Sequence, residues 1–384
     1  MEFSLSQEQT ILKNEVRRFL QNECPLDFVK EMIADEKGYS PVLWKKMAEL
    51  GWMGVWLEEK YGGSGGTFFD LSILLEEMGR VLLPGPFFST VILGGVTIMQ
   101  GGDEELKKRF LPEIANGNMI MTLAMVEKEA SYTIEEIKSK GEPKVDGYVL
   151  QGKKMFVSNA HVADHIIFPA RTYEKGYSDG TSLFMVDAKS KGIDITPFIS
   201  LNLEKQSEVS FTDVYVPKNS LIGKQGEGWI LIQGLWPIAV AGKCCEMLGA
   251  MQRVFEITVD YAQKRQQFDR PLSAFQVIQH YCADMAIELE CSRFITYQVA
   301  WRVSNGLPSK KEVAMAKAWS SDALKKITTM AHQIHGGIGF TRDQNLYLYF
   351  RYAKAGEVAF GDATFHKEVV ASEMDLRESK DTGL

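Results

Sequence analysis

The spacing of apolar residues changes twice along this 384-residue chain, and the two changes limit the folds open to it. Residues 5–118 show the three- to four-residue spacing of amphipathic helices. From 119 to about 217 the apolar residues alternate with polar ones, as in half-buried strands. After residue 226 the helical spacing returns. We therefore predict a helical domain at 1–118, an all-β domain at 119–225 and a second helical domain at 226–384.

Turn and cap signals define the elements of these domains. Ser40-Pro41 predicts an N-cap followed by a first-turn proline. Alternation predicts strands at 119–125, 148–158, 165–172, 182–186, 193–196 and 208–216, with a turn at Asp146-Gly147. The last domain has long helical patterns at 228–264, 273–304, 309–335 and 344–374, which predict an antiparallel four-helix bundle. Strands do not alternate with helices, which disfavours a dinucleotide-binding sheet.

Composition narrows the function classes. A hydrophobic content of 45% is enough for a sizeable core, while a net charge of −7 without a long basic run argues against nucleic-acid binding. No uninterrupted apolar run reaches the roughly 18 residues of a membrane span, and Glu2, Glu8 and Glu15 stand where a secretory signal would be basic and then apolar. We expect a cytoplasmic protein with no membrane span.

Cysteine and histidine spacing gives no sign of a metal. The five cysteines are odd in number and lack C-x-x-C spacing, so we expect reduced core thiols. The six histidines show no metal-ligand spacing. We therefore predict neither a disulfide scaffold nor a metal site.

Two segments of the last domain combine residue types suited to a phosphorylated ligand. Arg265 carries a permanently charged planar fork that matches a pyrophosphate. Gly336, Gly337 and Gly339 remove three Cβ atoms within four positions, so the backbone can approach anionic oxygens closely. Arg265 as a plain helix-end cation and the glycines as a helix-breaking turn remain open alternatives.

Together, these segments, Tyr261 to Gln276 and Gln333 to Thr341, resemble the signature of the acyl-CoA dehydrogenase family. The order helical, β, helical bundle is also that family's, so the resemblance spans nearly the whole chain. It implies that FAD is bound by Arg265, Gln276, Gln333 and the Gly336-Gly337 loop, often across a subunit boundary. It also implies a homotetramer or an α2β2 heterotetramer. A capping box in Ser273-Ala-Phe-Gln276 is the alternative role for Gln276.

The β domain carries two weaker matches. Lys154 to Asn159 is similar to the family's W-I-T-N strand, which implies that Phe156 packs beside the flavin ring and that Ser158 offers its hydroxyl to a ring heteroatom. The alternative is that both are residues of an ordinary half-buried strand. The segment 123–131 lies where the family has a T-E-P-x-A-G-S loop, but its sequence departs from that pattern. The alternative interpretation of the charged residues 127–129 is a solvated turn.

The largest departure from the family concerns the catalytic base. In the segment 351–365, Phe360 stands where the family's catalytic Glu is expected. Some members place the base on the first bundle helix instead, but residues 228–245 contain no Asp or Glu. Asp362 is the nearest carboxylate and is our candidate catalytic residue. A helix N-cap is its alternative role.

The resemblance implies FAD-dependent α,β-dehydrogenation of an acyl-CoA thioester, with electrons passed to an electron-transfer flavoprotein. Three alternatives stay open. In the first alternative, the chain is a base-lacking partner subunit that completes the FAD site of a heteromeric acyl-CoA dehydrogenase. In the second it is a flavin-free CoA-binding or structural relative, and in the third an oxygen-using flavin monooxygenase on the same fold.

Overall fold

The computed structural model describes residues 5–128, 132, 136–172, 180–198, 200–201, 204–342 and 344–374. The first domain is helical: α1 Gln7–Glu23, α2 Leu26–Ala34, α3 Pro41–Glu49, α4 Phe68–Val81, a π-helical segment Phe88–Val96, α5 Thr97–Gly101 and α6 Glu104–Ala115. The predicted cap of α3 is confirmed, because the Ser40 hydroxyl accepts from the Leu43 amide at 3.2 Å and Pro41 opens the helix. Thr67 caps α4 in the same way within a capping box.

The middle domain is a single mixed sheet. Its strands are β1 Met121–Leu123, β2 Lys140–Lys144, β3 Gly147–Ser158, β4 His165–Arg171, β5 Thr181–Asp187, β6 Ile193–Phe198, β7 Gln206–Pro217 and β8 Leu221–Ile222. The strand order is β6-β7-β3-β2-β4-β5-β8, with β1 parallel to β4. The long β3–β7 pair contains two register shifts, one between Lys154 and Val157. All six predicted strands are present, whereas β2 and β8 were not predicted.

The last domain is the predicted bundle, with one correction. It contains α7 Gly228–Lys264, a short hairpin of β9 Gln266–Gln267 and β10 Arg270–Pro271, α8 Gln276–Ser304, α9 Lys310–His335, α10 Leu346–Val358 and α11 Ala363–Glu373. The prediction of one helix over 344–374 was wrong, because the chain breaks between α10 and α11. Phe360 and Gly361 there have φ angles of 57° and 97°, outside the helical region.

Helix α7 lies at the centre of the fold, packed against α4 and α9. A Cβ added at Gly249 would lie 1.7 Å from the Glu76 carbonyl oxygen, so the absence of a side chain allows α4 and α7 to meet backbone to backbone. Within the described residues, α7 is the one helix that is long and apolar enough to cross a membrane. A search for uninterrupted apolar runs did not identify this helix. Because 67% of its apolar window is buried in the fold, its composition is that of a core helix.

The cysteines are all free thiols, as predicted. Cys24, Cys244 and Cys245 are buried in the core, but Cys282 is half-buried and Cys291 is exposed. The prediction of five core thiols was therefore wrong for Cys291.

Candidate active site

A cavity of about 940 Å³ opens where the three domains meet. Its described lining comes from the π-helical segment, from β3 and the chain before β7, from α7, and from the loop between α10 and α11. The lining residues used below are Phe88, Tyr132, Phe156, Ser158, Glu204, Trp236, Ala239, Lys243, Phe360 and Asp362. The volume falls within the range of small-molecule and cofactor sites, and most of the lining is apolar.

Phe156 and Ser158 reach the cavity from a distortion in β3. Phe156 sits at the register shift with a φ of 55°, a left-handed conformation that a bulky residue rarely adopts. Its ring is 48% exposed, whereas Val157 beside it is buried. The Ser158 hydroxyl donates to Glu204 Oε2 at 3.2 Å. An ordinary half-buried strand does not need this strained backbone, and such strain concentrates at functional sites. The flavin contacts of Phe156 and Ser158 stay predictions.

A buried ion pair anchors this part of β3. Lys154 Nζ lies 2.7 Å from Glu127 Oε1, and the Ser139 amide and hydroxyl donate to the same carboxylate oxygen. Burial lowers the pKa of Lys154 to about 8. Burial also works to raise the pKa of Glu127, but Lys154 and Ser139 outweigh it and hold that pKa below its usual value. The solvated-turn reading was therefore wrong for Glu127, while Glu129 lies outside the described residues.

Aromatic rings form another part of the cavity wall. The Phe360 ring lies 5.7 Å from that of Phe88 and 5.5 Å from that of Trp236, centroid to centroid. The Tyr132 ring also packs against Trp236, with ring centroids 4.8 Å apart. Ala239 lines the cavity from α7. The Phe360 ring cannot accept a proton.

Asp362 lines the cavity, but its carboxylate also begins α11. Asp362 Oδ1 accepts from the Phe365 amide at 2.8 Å, which confirms the N-cap reading. The side chain is exposed. Its catalytic role stays a prediction.

The loop that carries Phe360 is held by a buried lysine that sequence reasoning missed. Lys317, fully buried on α9, donates to the carbonyls of Gly356, Glu357 and Gly361 at 2.9–3.1 Å. These contacts satisfy carbonyls at the end of α10, where a cation is favourable. The signal in the sequence was a lysine among alanines and serines on the inner face of a bundle helix.

A second missed group is a charge cluster on the cavity wall. Lys243 Nζ lies 2.5 Å from Glu246 Oε2, 3.6 Å from Glu204 Oε1 and 4.4 Å from the Phe88 ring centroid. Burial opposes the charge of Lys243, but Glu246 and Glu204 outweigh it and raise its pKa. Burial also raises the pKa of Glu246, against the influence of Lys243. Lys243 and Glu246 stand within an apolar helix, which was the available signal.

The remaining predicted site residues lie on an open surface and not in the cavity lining. Arg265, Gln276, Gln333, Gly336 and Gly337 are all exposed. The ends of α7 and α9 are joined by a stacked contact of two aromatic side chains, Tyr261 and His335, with ring centroids 4.1 Å apart. A Cβ added at Gly336 or Gly337 would meet nothing within 4 Å. The fold thus presents an arginine and an open glycine turn at neighbouring helix ends.

Gln276 does not form the alternative capping box. It is the first residue of α8, Phe275 is the N-cap, and no side chain caps that helix. The Ser273 carbonyl accepts instead from Gln279 Nε2 at 2.9 Å. The side-chain amide of Gln276 is therefore exposed rather than used in a helix start.

The described residues fit a flavin dinucleotide in two parts. The cavity offers an apolar slot, with the exposed Phe156 ring and the Ser158 hydroxyl, for a flat ring system. The open surface offers a guanidinium, two side-chain amides and unobstructed backbone for a diphosphate. A helical, β, helical fold with such a cavity at the domain junction defines a class of flavin-dependent oxidoreductases.

The chain belongs to the acyl-CoA dehydrogenase family. Models of that family's N-terminal, middle and C-terminal domains match residues 6–118, 122–214 and 226–374. Acryloyl-CoA reductase (NADH) of Anaerotignum propionicum is 31% identical, over 98% of this chain and 97% of its own length. The short-chain-specific acyl-CoA dehydrogenase of Clostridium acetobutylicum is 30% identical, over 97% of this chain and 100% of its own length.

Solved structures agree in fold. One from a study of the electron transferring flavoprotein of Acidaminococcus fermentans has a TM-score of 0.91 at 29% identity, covering 98% of this chain and 100% of that chain. A chain of the ChsE4-ChsE5 complex from Mycobacterium tuberculosis has a TM-score of 0.89 at 25% identity, covering 99% and 100%. The FAD complex of PigA has a TM-score of 0.91 at 25% identity, covering 98% and 100%. This chain is accordingly a flavin-dependent enzyme whose cofactor is FAD.

Proposed function

We propose that this protein catalyses FAD-dependent α,β-dehydrogenation of an acyl-CoA thioester and passes the electrons to an electron-transfer flavoprotein. The observation that carries the proposal is the cavity at the domain junction, which brings Phe156, Ser158 and the Phe360 loop to one apolar space. Such a space excludes water, as transfer of a hydride requires. Bound FAD supplies the hydride acceptor, and the protein supplies orientation and proton transfer.

The FAD site is shared between two protomers in this proposal. The flavin ring occupies the cavity of one protomer, packed beside Phe156. The diphosphate and the adenosine end lie on the surface around Arg265, Gln276 and Gln333 of another. Support comes from the exposure of that surface and its absence from the cavity lining of the same chain. A homotetramer, or a heterotetramer with a related chain, provides the second protomer.

Anaerobic absorbance titration tests this function. The purified protein is expected to be yellow, and its visible flavin absorbance is expected to bleach when a suitable thioester is added from a panel of short, branched and aromatic acyl-CoAs. Electron-transfer flavoprotein should then restore the band. A stoichiometric flavin that no thioester bleaches, and that no enoyl-CoA reoxidises after chemical reduction, contradicts the proposal. Oxygen consumption measured in a separate aerobic assay with the same thioesters identifies an oxygen-using enzyme.

A second candidate function is that of a partner subunit that completes the FAD site of a heteromeric acyl-CoA dehydrogenase. Two observations favour it: Phe360, which cannot accept a proton, lies in the cavity lining where the family's catalytic Glu is expected, and the surface around Arg265 is exposed. The name of the ChsE4-ChsE5 complex describes a heteromeric assembly of similar fold. The two functions are distinguished by expressing this chain alone and together with a related chain that carries the usual Glu. Colour that appears only in the mixture supports the partner subunit.

A further inference from the structure

Lys243 and Glu204 line the cavity, and with Glu246 behind Lys243 they form a cluster of one cation and two carboxylates. We propose that Glu204 is the acid–base residue of this cavity and takes the α-proton of the bound acyl thioester. This inference rests on the proposed function. It assigns the proton transfer to a carboxylate on the β domain, not to the loop at Phe360 or to α7.

Position favours Glu204 over the other candidate. Among the described residues that line the cavity, Glu204 and Asp362 are the two carboxylates. Asp362 is exposed to solvent and caps α11 through Oδ1. Glu204 keeps 27% of its side chain exposed within a mostly apolar lining and lies beside Ser158, whose hydroxyl donates to Oε2. That hydrogen bond orients the carboxylate at the strained part of β3.

The contacts of Glu204 hold its carboxylate in place at the cavity wall. Its Oε1 lies 3.6 Å from Lys243 Nζ, and its Oε2 accepts from the Ser158 hydroxyl at 3.2 Å. Lys243 itself lies closer to Glu246, at 2.5 Å. A carboxylate positioned in this way within a substrate cavity can act as a general base, a role typically worth about 10²- to 10⁴-fold in rate.

The proposed step needs no oxidant. The Cα–H bond of the thioester breaks, its electron pair moves into the carbonyl system to form the enolate, and the proton forms an O–H bond with Glu204. Return of a solvent-derived proton to Cα completes an exchange. The step can thus be measured separately from oxidation of the substrate.

Two thioesters with sulfur at the β position, 3-thiabutyryl-CoA and 3-thiaoctanoyl-CoA, isolate this step because they have no β C–H bond to lose. The FAD-loaded enzyme is incubated with each in D₂O, and deuterium at Cα is measured by mass spectrometry. Wild-type protein should catalyse exchange, and Glu204→Gln should slow it by about 10²- to 10⁴-fold. Glu204→Asp, which keeps the carboxylate on a shorter side chain, should recover part of the loss.

Glu208→Gln is the matched control, since Glu208 follows on β7 and pairs with Lys153 at 2.6 Å on the surface. The Glu208→Gln variant should catalyse deuterium exchange at Cα at the wild-type rate. Wild-type rates in Glu204→Gln, or no exchange by the wild type with either compound, overturn the proposal. Loss in Asp362→Asn with retention in Glu204→Gln moves the role to Asp362. Flavin content and bleaching are measured in the same samples, so that failure of the proposed function is distinguished from failure at Glu204.

Discussion

The Nε2 atom of His366 donates to the main-chain carbonyl of Phe360 at 2.9 Å. Lys317, on α9, donates from Nζ to the next carbonyl, that of Gly361, at 2.9 Å. Together they fix a loop with two consecutive residues at positive φ against the cavity. Phe360 therefore forms a rigid wall where the family's base is expected.

Lys317→Met should destabilise the protein substantially. The substitution keeps much of the side-chain volume but leaves three carbonyls around the α10 end without their donor. Each buried group left unsatisfied costs about 1–3 kcal/mol, so we expect a loss of at least about 2 kcal/mol in the free energy of unfolding. Denaturant unfolding measures it. Lys325→Met, at a half-exposed position of the same helix, is the control and should cost less than about 1 kcal/mol.

His366 should make the protein sensitive to acid. Burial lowers the pKa of His366 to about 4, below its ordinary value of 6.5. Between these values the unfolded state binds the proton and the folded state does not, so stability falls as pH drops from 6.5 towards 4. The full shift corresponds to at most about 3 kcal/mol. When unfolding is measured at several pH values, the stability of His366→Gln should fall less steeply with decreasing pH than that of the wild type. His280 is exposed, so His280→Gln should show the wild-type pH dependence of stability. A wild-type pH dependence in His366→Gln contradicts the argument.

The buried Lys154–Glu127 ion pair should contribute more to the free energy of unfolding than the exposed Lys153–Glu208 pair. Lys154→Met leaves the Glu127 carboxylate without its cation and should cost about 3–5 kcal/mol. Lys153→Met removes a surface pair with Glu208 one residue earlier and should cost about 1 kcal/mol or less. Replacing both Lys154 and Glu127 by neutral side chains should cost less than the two single losses summed. Equal effects at 153 and 154 would show that the inner pair is not desolvated.

Arg265 should control the affinity for FAD without affecting the fold. Arg265→Ala removes an exposed guanidinium whose side chain supports no core packing. Loss of a charged hydrogen-bonded contact of about 1.5–3 kcal/mol predicts a Kd for FAD that is weaker by about 10- to 150-fold. Arg265→Lys should recover only part, because an ammonium cannot bind bidentately. Fluorescence titration of the apoprotein measures each, and Lys264→Ala should bind FAD like the wild type.

Much of the fold could be predicted because local pattern and tertiary packing agree. The limits of α7 were predicted to the residue, and β3, β4 and β7 came within two residues from alternation alone. Strand β2 was missed because its sequence, K-G-E-P-K, is polar and mostly exposed. Its pairing with β3 through the backbone is a tertiary effect that no side-chain pattern reports.

The site was predictable where one short segment carries the signal. Phe156 and Ser158 were named from a six-residue match, and both line the cavity, while their flavin contacts stay predictions. Glu204, Lys243 and Glu246 were missed as a group because they come from two domains and meet only in three dimensions. The break before α11 was missed for a different reason, since helical spacing continues through 359–362 and Gly361 alone was a weak stop signal.

The central claim, that each FAD spans two protomers, is tested by mixing two inactive chains. Arg265→Glu should abolish the diphosphate contact, and Ser158→Trp should fill the ring cavity. In a symmetric dimer unit, a mixed pair has one site with both halves intact, so random pairing should restore about a quarter of the flavin sites. Flavin bound per protomer in co-expressed protein measures this. Recovery near that fraction is predicted, whereas no recovery in mixed oligomers, with each variant alone also colourless, contradicts it.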